Sequence, residues 1–141
     1  MKSAWKDEPI VVLDACALIA FLNDEPGADV IALVLEEVPA VEMAAINLLE
    51  IAYDTVRRTG QPSSATDVID AVRQLPILIR WDIDQEIVEA AACFKTRFRI
   101  SLADSVALAL AATRNAPLAT SDHHEFDSIG TAGEARFLWI R

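Results

Sequence analysis

Four acidic residues from four separate parts of the chain have the types and settings of a charged reaction centre. Asp14 directly follows the apolar run Ile10-Val11-Val12-Leu13. Glu50 closes Asn47-Leu48-Leu49-Glu50 and interrupts an apolar face shared by Leu49, Ile51 and Tyr53. Asp104 lies in Ser101-Leu102-Ala103-Asp104-Ser105, and Asp122 comes just after the short run Leu118-Ala119-Thr120-Ser121. Each has an ordinary alternative: Asp14 as an N-cap, Glu50 as a surface residue, Asp104 as part of a Ser101-x-x-Asp104 capping box, Asp122 as a turn residue. The combination points elsewhere. Converging carboxylates repel and raise one another's pKa unless a cation keeps them ionised. Mg²⁺ or Mn²⁺ suits an all-oxygen pocket, and such an ion holds a phosphate oxygen, activates water and stabilises a leaving oxygen in an in-line displacement. No separate base is required.

The elements that must position these acids follow from punctuation and periodicity. Residues 10–13 read as a buried strand, which puts Asp14 at the carboxyl end, where open α/β sheets bind ligands. A short helix over residues 16–22 follows, closed by Asn23-Asp24. Pro26-Gly27 opens a second, with Val30, Ile31, Val34, Leu35 and Val38 at helical spacing and Pro39 as its stop. Residues 40–43 form a weak strand. A helix from Ile46 carries Glu50 and ends at Arg57-Arg58, with Gly60 as its terminator. Ser64-x-x-Asp67 predicts a capping box for the next helix, which Pro76 ends. A strand over residues 77–81 leads to a helix capped by Asp82 or Asp84 and running to about Arg97. Ser101 to Arg114 reads as a helix buried on most of its surface, with Asn115 as its stop. A strand over residues 117–120, one helical turn within residues 123–129 and a strand over residues 136–140 complete the chain. Alternating strands and helices predict a single domain over residues 1–141: a three-layer α/β/α sandwich around a mostly parallel sheet.

The composition narrows the function. With 12 Lys and Arg against 22 Asp and Glu in 141 residues, the net charge of −10 argues against a general basic grip on nucleic acid. Arg57-Arg58 and the cluster Lys95, Arg97, Arg99 fit helix C-termini. Two cysteines, Cys16 and Cys93, make no disulfide framework. Lys2 and Lys6 precede apolar residues as in a signal peptide, but Asp14 breaks the run and no stretch is long enough to span a bilayer. A reducing cytoplasm and no membrane are expected.

Other chemistries fit less well. His123-His124 beside Asp122 lacks a third spaced ligand for zinc. Cys16 stands where an aspartyl phosphatase would carry a second Asp, and no GxSxG or GxxxxGK[ST] occurs.

Leu13-Asp14-x-x-Ala17-Leu18-Ile19-Ala20, the helix-borne Glu50, Ser101-Leu102-Ala103-Asp104-Ser105 and Leu118-Ala119-Thr120-Ser121-Asp122 together resemble the ordered acidic motifs of PIN domains. Length and element order are similar to the small VapC-like toxins. The resemblance covers essentially the whole chain. It implies a Mg²⁺- or Mn²⁺-dependent endoribonuclease, dimeric and inhibited by a cognate antitoxin, with Asp14, Glu50, Asp104 and Asp122 as its metal-binding acids. Glu125 and Asp127 are alternatives to Asp122 at the last corner. The family often carries Ser or Thr two residues after the first acid, where this chain has Cys16, a weaker hydrogen-bond partner. That departure is the one feature favouring the competing expectation, an inert PIN-like binding module.

Overall fold

The computed structural model describes residues 3–141, so Lys2 lies outside the described part. In chain order the elements are β1 (Ile10–Leu13), α1 (Ala15–Leu22), α2 (Ala28–Glu37), β2 (Ala40–Ala44), α3 (Ala45–Thr59), α4 (Ser63–Arg73), β3 (Leu78–Arg80), α5 (Gln85–Arg97), α6 (Leu102–Thr113), β4 (Leu118–Thr120), α7 (His123–Thr131) and β5 (Phe137–Trp139). The strands pair in the order β3-β2-β1-β4-β5, and every pairing is parallel.

Strand pleating sends alternate residues to opposite faces. Val11, Leu13, Val41 and Met43 therefore enter one core with Leu18, Ile31, Val34, Ile51 and Val72 of α1 to α4. Val12, Ala44 and Leu118 enter the other, with Ile87, Val106, Leu110, Phe126 and Ile129 of α5 to α7. This is the expected sandwich, and burial on both faces explains why β1 is apolar without a break. The helix α6 is buried at every position from Asp104 to Ala111, because it lies directly across the middle of the sheet.

Most boundaries follow local chemistry. Asp84 and Ser101 cap α5 and α6 with their side chains, accepting from the N–H groups of Ile87 and Asp104 at 3.0 Å each. Gly60 ends α3 at φ 70° and Asn115 turns the chain after α6 at φ 51°. Gly27, at φ 99°, is required twice over: a Cβ there would stand 2.9 Å from the Ile140 carbonyl oxygen.

Two expectations are corrected. The capping box at Ser64 does not form: Pro62 already has helical dihedrals, so α4 starts at Ser63, and the buried Ser64 hydroxyl meets Thr59 Oγ1 at 2.7 Å. α7 runs to Thr131, well beyond a single turn, because Phe126 and Ile129 are buried three residues apart on one face.

β2 carries one charge into the interior. Glu42 meets Arg80 Nη1 on β3 and Arg114 Nε beyond the end of α6, both at 3.3 Å. The first contact is a hydrogen bond, whereas Arg114 Nε has no hydrogen-bond partner among the described residues and acts on Glu42 as a charge. No described helix is long and apolar enough to cross a membrane.

Candidate active site

Strand order reverses between β1 and β4: the chain passes from β1 to β2 and β3 on one side, then returns to β4 and β5 on the other. At such a switch point the connections diverge and leave a crevice beyond the carboxyl ends of the strands. Asp14 follows β1 and Asp122 lies two residues beyond β4.

Asp14 is 4% exposed and serves two purposes. Its Oδ1 caps α1, accepting from the Ala15 N–H at 2.8 Å. Its Oδ2 accepts from the Thr120 hydroxyl at 2.9 Å and the Cys16 thiol at 3.3 Å. Burial pushes the Asp14 carboxyl above the usual range; these hydrogen bonds oppose the rise, and the charge of Asp122 adds to it. The N-cap expected as the ordinary role of Asp14 is therefore present, and its second oxygen faces Thr120 and Cys16.

Asp122 caps α7, accepting at Oδ1 from the Glu125 N–H at 3.1 Å, while its own N–H donates to Thr120 Oγ1 at 3.1 Å. Of the three acids at this corner, Asp122 is the one whose charge acts on Asp14, Glu50 and Asp104 together. Asp127 instead faces His123 Nδ1 at 2.8 Å.

Glu50 is placed by the fully buried Asn47. The Asn47 amide donates to Glu50 Oε1 at 3.0 Å and to the Ala103 carbonyl at 3.4 Å, tying α3 to the first turn of α6. Desolvation raises the Glu50 carboxyl, the Asn47 bond lowers it, and the charges of Asp14 and Asp122 raise it further. Asp104 lies in that first turn of α6. Burial, then the charge of Asp14, lift its carboxyl to about 7; Glu50 and Asp122 contribute, while the Ser101 bond opposes.

The structure thus brings all four predicted acids into mutual electrostatic range. Asp14 and Asp122 cap helices and Asp104 sits in a first turn, so three helix N-termini point their positive dipole ends at the crevice. That arrangement offsets part of the carboxylate repulsion. Among the described residues, no three His, Cys, Asp or Glu side chains stand close enough together to grip an ion as placed. The donor chemistry nevertheless fits a hard cation: four carboxylates, the Thr120 hydroxyl, and the buried Asn47 Oδ1, which has no hydrogen-bond partner among the described residues.

Thr120 and Asn47 were not singled out by residue type or spacing. Thr120 is a polar residue ending an otherwise apolar strand, and Asn47 lies three residues before Glu50; both signals exist but are common. Cys16 is a thiol held near pKa 11, mainly by burial and next by Asp14, so it donates to Asp14 as a neutral group. The Thr120 hydroxyl supplies the support that a serine or threonine at position 16 would give. His123 directs both ring nitrogens at oxygens, Asp127 Oδ1 at 2.8 Å and the Arg141 carbonyl at 2.9 Å, which removes it as a zinc ligand.

Comparison with known proteins gives a consistent result. A family model described as PIN domain matches residues 11–131. No curated protein sequence matches the chain. Among solved structures, the chain is similar to VapBC2 from Rickettsia felis bound to a promoter DNA fragment, at TM-score 0.70 and 17% identity over 92% of this chain and 98% of that one. It is also similar to DNA-bound VapBC from Salmonella typhimurium, at TM-score 0.69 and 15% identity over 93% and 98%. VapC20 of Mycobacterium tuberculosis, described as a sarcin–ricin loop cleaving toxin, matches at TM-score 0.64 and 17% identity over 91% and 98%. At these identities the likeness is one of fold.

Proposed function

The chain belongs to the PIN-domain family, and on that footing we propose that it is a metal-dependent endoribonuclease acting as the toxin of a toxin–antitoxin pair. One observation carries the reading: acids from four elements lie within electrostatic range of one another at the switch point, where burial and then neighbouring acid charge raise the carboxyls of Asp14, Glu50 and Asp104. A group so placed is unfavourable for the fold alone and becomes favourable when a divalent cation joins it.

Asp14, Glu50, Asp104 and Asp122 would hold Mg²⁺ or Mn²⁺, which when bound polarises a phosphate oxygen and acidifies water. The protein's share of the work is positioning. Thr120 and Cys16 fix the rotamer of Asp14 through its Oδ2. Asn47 aims Glu50 and sets the spacing of α3 from α6. Asp104, whose carboxyl titrates near 7, releases its proton when positive charge enters the crevice. RNA is the substrate that the nuclease reading of this site expects.

One similar fold is described as a toxin–antitoxin complex, which supports a cognate antitoxin as partner. An arginine reaching into the carboxylates would silence the site by replacing the cation. Exposed Leu49 and Tyr53 on α3, Val88 on α5 and Leu102 on α6 support a homodimer. The test is cleavage of a mixed RNA pool by wild type and Asp14→Asn, each with and without EDTA. Cleavage is expected only from wild type without chelator. Cleavage that persists in EDTA or in the variant would sink the reading, and no cleavage with no Mn²⁺-induced thermal shift would leave an inert binding module.

A further inference from the structure

An aromatic run leads away from the crevice along the sheet edge. Trp139 pairs in register with Thr120, the residue that supports Asp14, so it starts one strand away, about 4.8 Å. His123, next to Asp122 in the chain, lies flat on Trp139, with ring centroids 4.0 Å apart and planes 13° from parallel. Phe137 stands against Trp139 with ring centroids 5.1 Å apart and planes 24° from parallel. The two nitrogens of His123 lie within hydrogen-bond distance of Asp127 Oδ1 and the Arg141 carbonyl, which orients the ring while its side chain stays 48% exposed. Beside the stack, Phe137 and Trp139 line a groove of about 340 Å³ with Asp127, Gly130 and Thr131. Gly130 packs closely on the Phe137 ring: a Cβ there would stand 3.2 Å from it.

We propose that the His123–Trp139–Phe137 run is a binding site for one unpaired nucleobase of the RNA, next to the phosphate that is cut. This rests on the nuclease reading and adds a way to hold the substrate. A chain of net charge −10 with an acidic crevice has little basic surface for a phosphate backbone. Stacking on aromatic faces needs no charge and tolerates any base. The groove's volume lies in the range of small-ligand sites, and Asp127 and Thr131 offer polar contacts to a base edge. A purely structural stack, pinning α7 to β5, would fix the rings equally well but would be indifferent to the substrate's bases.

The experiment compares RNAs that carry a base or an abasic ribose at each position flanking the cut. For wild type, one position should show a drop of about tenfold or more in kcat/KM when its base is removed, mostly through KM. His123→Ala should lose that base dependence, and His123→Phe, which keeps a flat face without the hydrogen bonds, should recover it. A second readout does not depend on cleavage. With Trp139 as the sole tryptophan, through Trp5→Phe and Trp81→Phe, its fluorescence should be quenched by the base-bearing RNA and not by the abasic one. RNA cleavage with the same base dependence in folded His123→Ala as in wild type overturns the proposal and leaves the nuclease reading intact. Quenching without any cleavage keeps the base site and removes the nuclease, and absence of both removes both.

Discussion

Asp14 and Glu42 come from adjacent strands and are equally buried, at 4% exposure each, yet the chain surrounds them with opposite charges. Glu42 lies between Arg80 and Arg114, so the protein supplies its own cations and the carboxylate needs nothing from solution. Asp14 receives only hydrogen bonds, and the charged groups acting on it and its neighbours are further acids. Removing a carboxylate from water is unfavourable unless it is paired. The chain satisfies that requirement internally at Glu42, whereas at Asp14 it supplies hydrogen bonds and no cation. On the proposed reading, partners rather than burial would tell a structural carboxylate from a metal-holding one.

The comparison can be broken by experiment, most severely at Asp14. Asp14→Asn should lower metal-dependent RNA cleavage by on the order of a thousandfold, several kcal/mol of lost charge stabilisation. Glu42→Gln should leave the rate of the folded protein unchanged, both read by single-turnover cleavage in Mn²⁺. Stability should reverse the ranking. Glu42→Gln strands two guanidinium groups and should cost about 2–3 kcal/mol in urea unfolding, moderated by their partial exposure. Asp14→Asn keeps the oxygen that caps α1 and should cost less. A third measurement sharpens the contrast: Mn²⁺ at about a hundred times its Kd should stabilise wild type and Glu42→Gln by about 2–3 kcal/mol, seen as a rise in Tm, and should leave Asp14→Asn unmoved.

The smallest of these effects is a pH dependence without metal. The folded-state pKa of Asp104, about 7, lies above its unfolded value of 3.8, so the folded chain holds the proton more tightly. Stability therefore falls as pH rises between those values, is fully reduced above 7, and is unaffected well below 4. Asp104→Asn should stabilise the metal-free protein at pH 8 by about 1 kcal/mol, after allowance for solvent screening at the crevice mouth. At about pH 2.5 it should change nothing. Equal Tm differences at both pH values would remove the electrostatic account of Asp104.

How much of this could be read from residue order depends on whether the cause is local. Pro39, Gly60 and Asn115 end elements through their own backbone preferences, and Asp84 and Ser101 announce their helices by hydrogen bonds within three residues. Asp14, Asp104 and Asp122 are visible because each stands at the end of a recognisable element, and Glu50 because it interrupts an apolar helix face. Thr120 was not, because its hydroxyl reaches Asp14 only through the β1–β4 register that sets Leu13 beside Ala119. The same holds for Glu42, which reads as one polar residue in a weak strand until β3 and the end of α6 bring two arginines to it. Pattern also misjudged Ser64, whose spacing to Asp67 suits a capping box but whose neighbour Pro62 starts the turn earlier.

The burial of α6 from Asp104 to Ala111 has a mechanical meaning. A rod wedged on all sides cannot tilt without unseating the layers above and below it, so the acid at its head has no hinge on which to swing away. On the proposed reading, silencing would work by filling the crevice, with α6 left in place. Amide hydrogen exchange along α6 should accordingly be as slow in the active protein as in its silenced complex, with the change confined to the crevice rim.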